Sequence, residues 1–130
     1  MAASDVRRDD HLVELMLAAE QSLNVAICGV VGVKTQQLEA LQRGDRLWYS
    51  ELLPCLSEAV QEGKRLNEAL RPLRERWDAA EPPAAARQML MGLHNDRGTF
   101  FMLIARLDAA IVPFLAPVPR AERRKEGRVG

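Results

Sequence analysis

The sequence predicts an all-α protein, an antiparallel bundle of three long helices. Apolar residues recur at spacings of three and four over most of the 130-residue chain, which is the helical period. No segment shows the strict apolar–polar alternation of a half-buried strand. Two breaks, at Gly44–Asp45 and at Pro82–Pro83, divide the chain into segments of similar length. Helices of matched length joined by short loops pack as antiparallel neighbours.

The first helix is predicted over about residues 5–43. Gly44 suits a left-handed C-cap, and Asp45 can accept backbone N–H bonds as the N-cap of the next helix. Gly29 and Gly32 lie inside the helix, where each costs about 1 kcal/mol relative to alanine. We expect these two glycines to allow a neighbouring helix to approach closely. The expected core positions are Leu12, Met16, Ala19, Leu23, Ala26, Val30 and Val33.

The second helix is predicted over about 45–80 and the third over about 83–116. Pro54 and Pro72 lie inside the second helix, which predicts that it is kinked or split there. A single helical-bundle domain over 1–118 follows, with a flexible, disordered basic tail at 119–130 because this segment is almost devoid of apolar residues. The expected core positions of the second helix are Leu52, Leu56, Ala59, Gly63, Leu66, Leu70, Leu73 and Trp77. Those of the third are Ala86, Leu90, Leu93, Arg97, Phe100, Ile104, Leu107, Ile111 and Phe114.

Composition argues against several classes of function. Eighteen basic residues balance eighteen acidic ones, so the chain has no excess charge for nucleic acid. The longest apolar run, residues 25–33, is far short of the ~20 residues that span a bilayer. With no secretory signal pattern at the start, we expect a cytoplasmic protein without a membrane segment. Cys28 and Cys55 lack metal or redox spacing and are expected to be buried free thiols.

The stretch "CGVVGVKTQQ", residues 28–37, has some features of a phosphate-binding loop. It lacks the glycine directly before Lys34 that such a loop needs, and Val30 and Val33 continue the helical repeat. We therefore expect a continuous helix here, packed against two others without a cavity for a reaction.

The polar residues do not form a recognisable catalytic or metal-binding set. His11 and Glu14 are three residues apart, but no second pair completes a metal site. Arg97 falls on a core position, so it must be paired or must extend its guanidinium to water past neighbouring side chains. The favoured interpretation is a buried polar contact that sets the helix register. An enzyme or ligand site built on His94 and Arg97 is the less favoured alternative, because no nucleophile with an adjacent base accompanies them. We expect no catalysis, cofactor, metal or small-molecule substrate.

The third helix carries more apolar residues than its core stripe needs. They lie on an adjoining flank and on the outer face, where methionine and small side chains suit contact with another helix. This surface, the apolar strip, is predicted to bind a protein partner by a helix-in-groove contact. The open alternatives are that a further segment of the chain or a second copy covers it. The apolar strip consists of Met91, Gly98, Phe101, Met102, Ala105, Ala109 and Val112.

Two stretches carry a resemblance to a known family. "LEALQRGDRLWYSELLPCLSEAV", residues 38–60, resembles the first helical hairpin of the FlgN-type flagellar export chaperones. "LHNDRGTFFMLIARL", residues 93–107, is similar to that family's asparagine-containing stretch before an apolar run. The resemblance implies a cytoplasmic chaperone that holds the C-terminal helices of hook-filament junction proteins before export. The alternative is a self-associating structural or regulatory bundle.

Overall fold

The structure, a computed structural model, describes residues 2–116, with side chains described from residue 11 onward. It contains three α-helices: α1, Ala2–Gln42; α2, Arg46–Ala80; and α3, Ala84–Leu115. No strand occurs within this part of the chain. The predicted all-α bundle of three long helices is confirmed.

The turn between α1 and α2 forms as the sequence predicts. Gly44 adopts φ +76°, a conformation that glycine reaches without steric cost. Its N–H donates to the Leu41 carbonyl at 3.0 Å, and the N–H of Asp45 donates to the Ala40 carbonyl at 2.8 Å. These two bonds form a Schellman motif, which satisfies carbonyls at the end of α1. The Asp45 carboxylate then accepts from the N–H of Trp48 at 3.0 Å and caps α2.

The turn between α2 and α3 uses less favourable residues. Glu81 ends α2 in the left-handed region, at φ 50° and ψ 66°. A non-glycine residue there costs roughly 1–2 kcal/mol because its Cβ crowds the backbone. Pro83 occupies the N-cap position of α3 without a side-chain capping bond.

The internal prolines do not divide α2. The helix is continuous through Pro54 and Pro72, although each removes one backbone hydrogen bond. Of the two alternatives for α2, splitting is therefore not observed, and kinking stays a prediction. The predicted basic tail at 119–130 and the domain end at 118 lie outside the described residues.

The helix α1 is the centre of the bundle. Both α2 and α3 pack on it, whereas no Cα of α2 lies within 8 Å of a Cα of α3. Burial follows this arrangement, since α2 buries only Leu52, Leu70 and Trp77, and α3 only Ala86, Leu90 and Ile111. The buried apolar residues of α1 are Leu12, Met16, Leu23, Ile27, Val30, Ala40 and Leu41.

Two expectations for α1 are wrong, both because two neighbours cover only part of its circumference. Gly29 and Gly32 are exposed, and a Cβ on either would meet nothing within 4 Å. They therefore do not permit close helix approach. Cys28, expected to be buried, is exposed on the same uncovered side, and Cys55 is exposed on α2.

Two segments, His11–Gln42 and Ala84–Leu115, are long and apolar enough to cross a membrane by composition. The central helix of a bundle has the same composition, and 33% of the most apolar window of the first segment is buried by its neighbours. In α3 the corresponding share is 6%. Most of the apolar surface of α3 therefore lies open, which leads to the question of what it contacts.

Candidate functional site

A buried carboxylate links all three helices. Glu20 of α1 has no exposed surface. Arg74 of α2 donates from Nε to its Oε1 at 3.1 Å, and Arg97 of α3 donates from Nη2 to its Oε2. A carboxylate shared by two guanidiniums is well matched, because its buried charge is compensated from both sides.

Asn24 extends this network one turn along α1. Its Oδ1 accepts from Nε of Arg97 at 2.8 Å, and its Nδ2 donates to the Leu93 carbonyl at 2.9 Å. The Nη2 of Arg97 also donates to the backbone carbonyl of Glu20 at 3.1 Å. The expectation that Arg97 is paired at a core position is confirmed.

Sequence reasoning missed both α1 members of this network. Glu20 and Asn24 follow Met16 at successive intervals of four, and Ile27 comes three residues later. They therefore continue the core stripe, although their polarity suggests solvent. The signal that would have found them was Arg97, since a buried cation requires a buried anion on a neighbouring helix.

The environment of Glu20 keeps it ionised. Burial by itself raises the pKa of this carboxyl, because it penalises the charged form. Hydrogen bonds from Arg97 and Arg74, together with their charges, outweigh burial and hold the pKa below its usual value. Such a carboxylate is a structural anion rather than a proton acceptor.

The two histidines lie apart. His94 of α3 places Nε2 3.5 Å from Glu20 with its side chain about half exposed, whereas His11 is exposed on α1, nine residues before Glu20. Within residues 11–116, no three His, Cys, Asp or Glu side chains come together as a possible metal site. His94 therefore belongs to the edge of the Glu20 network.

An open groove runs between α2 and α3, with α1 as its floor. Leu23, Ile27 and Val30 form the floor, and the space measures about 420 Å³. We expected close packing without a cavity, but the separation of α2 from α3 leaves this space. The α2 wall consists of Ala59, Val60, Gly63, Lys64 and Asn67, and the α3 wall of Arg97, Phe101 and Ile104.

Charged side chains lie at the two ends of the groove. Arg97 lines one end, where Glu20 holds it. Lys34 lines the other end and donates to Oδ1 of Asp108 at 2.5 Å. Between these two links, the floor and the α3 wall are apolar.

The apolar strip adjoins this groove. All seven of its residues are exposed, with Met91, Phe101, Met102 and Val112 each more than half accessible. Phe101 belongs to both surfaces, since it also lines the groove. At ~100° per residue, the other members of the strip continue from Phe101 around the flank of α3. The groove and the strip thus form one continuous apolar surface.

Neither a protein-family profile, nor a curated protein, nor a solved structure matches this chain. Its fold and surface define a three-helix bundle with an open apolar groove along one side.

Proposed function

We propose that the protein is a non-enzymatic interaction module that binds an amphipathic helix of a partner protein. The observation that carries this proposal is the separation of α2 from α3, which leaves an apolar floor on α1 exposed along the bundle. A docked helix would complete a four-helix arrangement and cover both the groove and the apolar strip.

A helix suits this surface better than an extended peptide. A helix satisfies its own backbone hydrogen bonds, so it can cover an apolar floor that offers few polar partners. Gly98 and Ala105 on the α3 side allow close approach of another backbone, and the unbranched side chain of Met102 adapts to the shape of its partner.

The resemblance to FlgN-type chaperones supports a role in export. Such a role requires a cytoplasmic protein that shields an aggregation-prone helix of its cargo, and an open groove supplies the complementary surface. The cargo would then be a helical segment of an exported protein, released without any chemical step.

Site-specific photo-cross-linking in a source lysate tests the proposal. A benzophenone amino acid at position 102 should capture a defined partner, whereas the same group at position 89 should not. Met89 is a matched control, because both methionines are on α3 and are similarly exposed, Met89 at 61% and Met102 at 56%. Their spacing places them on different faces of the helix.

Substitution of the same two positions is a second test. Met102→Asp should reduce recovery of that partner, and Met89→Asp should not. Equal capture from both positions would contradict the proposal.

Self-association is the second candidate, and one pattern favours it. Gly98, Met102, Ala105, Ala109 and Val112 follow alternating spacings of four and three, which is the seam of a coiled coil. Two copies could therefore pair through α3. Light scattering over a concentration series separates the candidates: a monomer at every concentration removes self-association, and a dimer broken by Met102→Asp supports it.

A further inference from the structure

We infer that the groove contains a receptor gap at Ala59 and Gly63 for a bulky apolar side chain of the partner helix, and that Lys64 pairs with an acidic residue beside that side chain. This inference rests on the proposed function. It adds the chemistry of the partner: an amphipathic helix with large apolar residues and an acidic flank.

The gap arises from two small residues in an otherwise bulky stripe. On the face of α2 that meets α1, Leu56 precedes Ala59 and Gly63, and Leu66 follows them. A Cβ on Gly63 would meet nothing within 4 Å. At this level the α2 wall is therefore recessed, and no side chain of the described residues fills the space.

The apolar part of the groove between its two polar links is long enough for a few turns of a helix. The polar links at Arg97 and Asp108 are eleven residues apart on α3, or about 16 Å along the helix. A helix lying along that interval presents side chains at positions i, i+4 and i+7, which span about 10 Å, toward the floor. Up to three leucine-sized or larger residues would thus lie between the links, and one of them would enter the gap.

Charge indicates an acidic flank on the partner. Lys34 is held by Asp108 and Arg97 by Glu20. In contrast, Lys64 is exposed on the α2 wall and has no carboxylate within 4.0 Å among the described side chains. Arg71, seven residues further along the same face, is already paired with Glu68 at 3.2 Å.

The basic segment at 119–130 does not match the groove in charge. Residues 119–130 contain more basic than acidic side chains, so they would be repelled by Lys64. The occupant that we infer is therefore an acidic helix of another protein, which complements the charge of Lys64.

Three synthetic peptides of about 20 residues, each spanning ~30 Å as a helix, test the inference by fluorescence anisotropy with the full chain. The first carries a leucine stripe with glutamate flanks, the second the same stripe with lysine flanks, and the third alanines in place of the leucines. We expect the first to bind at least about tenfold more tightly than the second, and the third not to bind. Equal binding of the first two, or no binding by any peptide, would overturn the inference.

Two substitutions test whether the peptide binds at the gap formed by Ala59 and Gly63. Gly63→Leu should fill it and weaken the acidic peptide at least about tenfold, while Gly92→Leu serves as a control because it adds the same side chain at an exposed position of α3 where a Cβ meets nothing within 4 Å. Lys64→Glu should reverse the preference between glutamate and lysine flanks.

The variants also separate the inference from the proposed function. If Met102→Asp abolishes peptide binding but Gly63→Leu does not, the proposed function stands, and the partner's apolar side chain does not bind in the gap. If no peptide binds, photo-cross-linking at position 102 still decides the proposed function independently.

Discussion

Arg97 donates from its guanidinium both to the Glu20 carboxylate and to the Asn24 side-chain oxygen, so one side chain of α3 is fixed at two successive turns of α1. Polar contacts made at fixed intervals along a helix exist in only one register, unlike apolar contacts that tolerate sliding. The position of Phe101, one turn beyond Arg97, is set by the same contacts. The network thereby determines where the α3 wall of the groove lies.

Glu20→Gln should destabilise the protein by about 2–4 kcal/mol, because Arg97 would lose its anionic partner while its side chain stays 12% exposed. Urea unfolding followed by circular dichroism measures this change. Glu68→Gln is the control, since its pair with Arg71 is exposed on both sides and should contribute about 1 kcal/mol or less. Similar losses from the two substitutions would contradict a structural role for Glu20.

The same carboxylate predicts a pH dependence. The pKa of Glu20 is lower in the folded protein than the value of about 4.3 expected in the unfolded chain. Its contribution to stability is therefore fully present above pH ~4.3 and is lost as pH falls through the folded pKa. Wild type should lose more stability than Glu20→Gln between neutral and acidic pH. Parallel curves of unfolding free energy against pH for the two proteins would refute this.

Both turns should favour glycine, so removing it from the first and adding it to the second should change stability in opposite directions. Gly44→Ala should destabilise by about 1–2 kcal/mol, because alanine is strained at φ +76°. Glu81→Gly should stabilise by about 0.5–1 kcal/mol, because it relieves the same strain at φ 50°. Thermal unfolding of both variants checks the pair. A stabilising Gly44→Ala would show that the first turn is not left-handed.

Alanine at the exposed glycines of α1 should increase stability. Gly29→Ala and Gly32→Ala each gain about 1 kcal/mol of helix propensity, and neither new Cβ would meet an atom within 4 Å. Chemical denaturation of the two single variants and the double variant measures the effect. A loss of stability would instead support the close helix approach that the sequence suggested.

The helical repeat was sufficient to predict three helices, and the breaks at Gly44–Asp45 and Pro82–Pro83 predicted both connections. Gly44 and Asp45 act locally, since each depends only on its own backbone conformation or on its nearest neighbours. Their effect is therefore the same however the helices pack. The stripe of α2 that faces α1 was also predicted, because a helix with one neighbour covers one stripe, although only Leu52, Leu70 and Trp77 of that stripe are fully buried.

The surroundings of α1 could not be predicted in the same way. A central helix meets two neighbours, so its buried face departs from a single stripe: Glu20 and Asn24 are inside, while Gly29 and Cys28 are outside. Which face of α1 stays exposed depends on how α2 and α3 are placed around it. The sequence of a single helix does not determine that placement. The exposed strip of α3 was found from sequence, whereas the groove beside it was not.

Because α2 and α3 are joined mainly through α1, their roles in assembly are unequal. The α1–α2 hairpin is synthesised before α3, and it includes all the residues of its capped turn and of the Arg74–Glu20 pair. Without α3, Oδ1 of Asn24 and Oε2 of Glu20 lack the hydrogen bonds that Arg97 donates to them in the complete bundle. A nascent chain paused before α3 would therefore expose the face of α1 that α3 covers, and the addition of α3 would complete the Glu20 network.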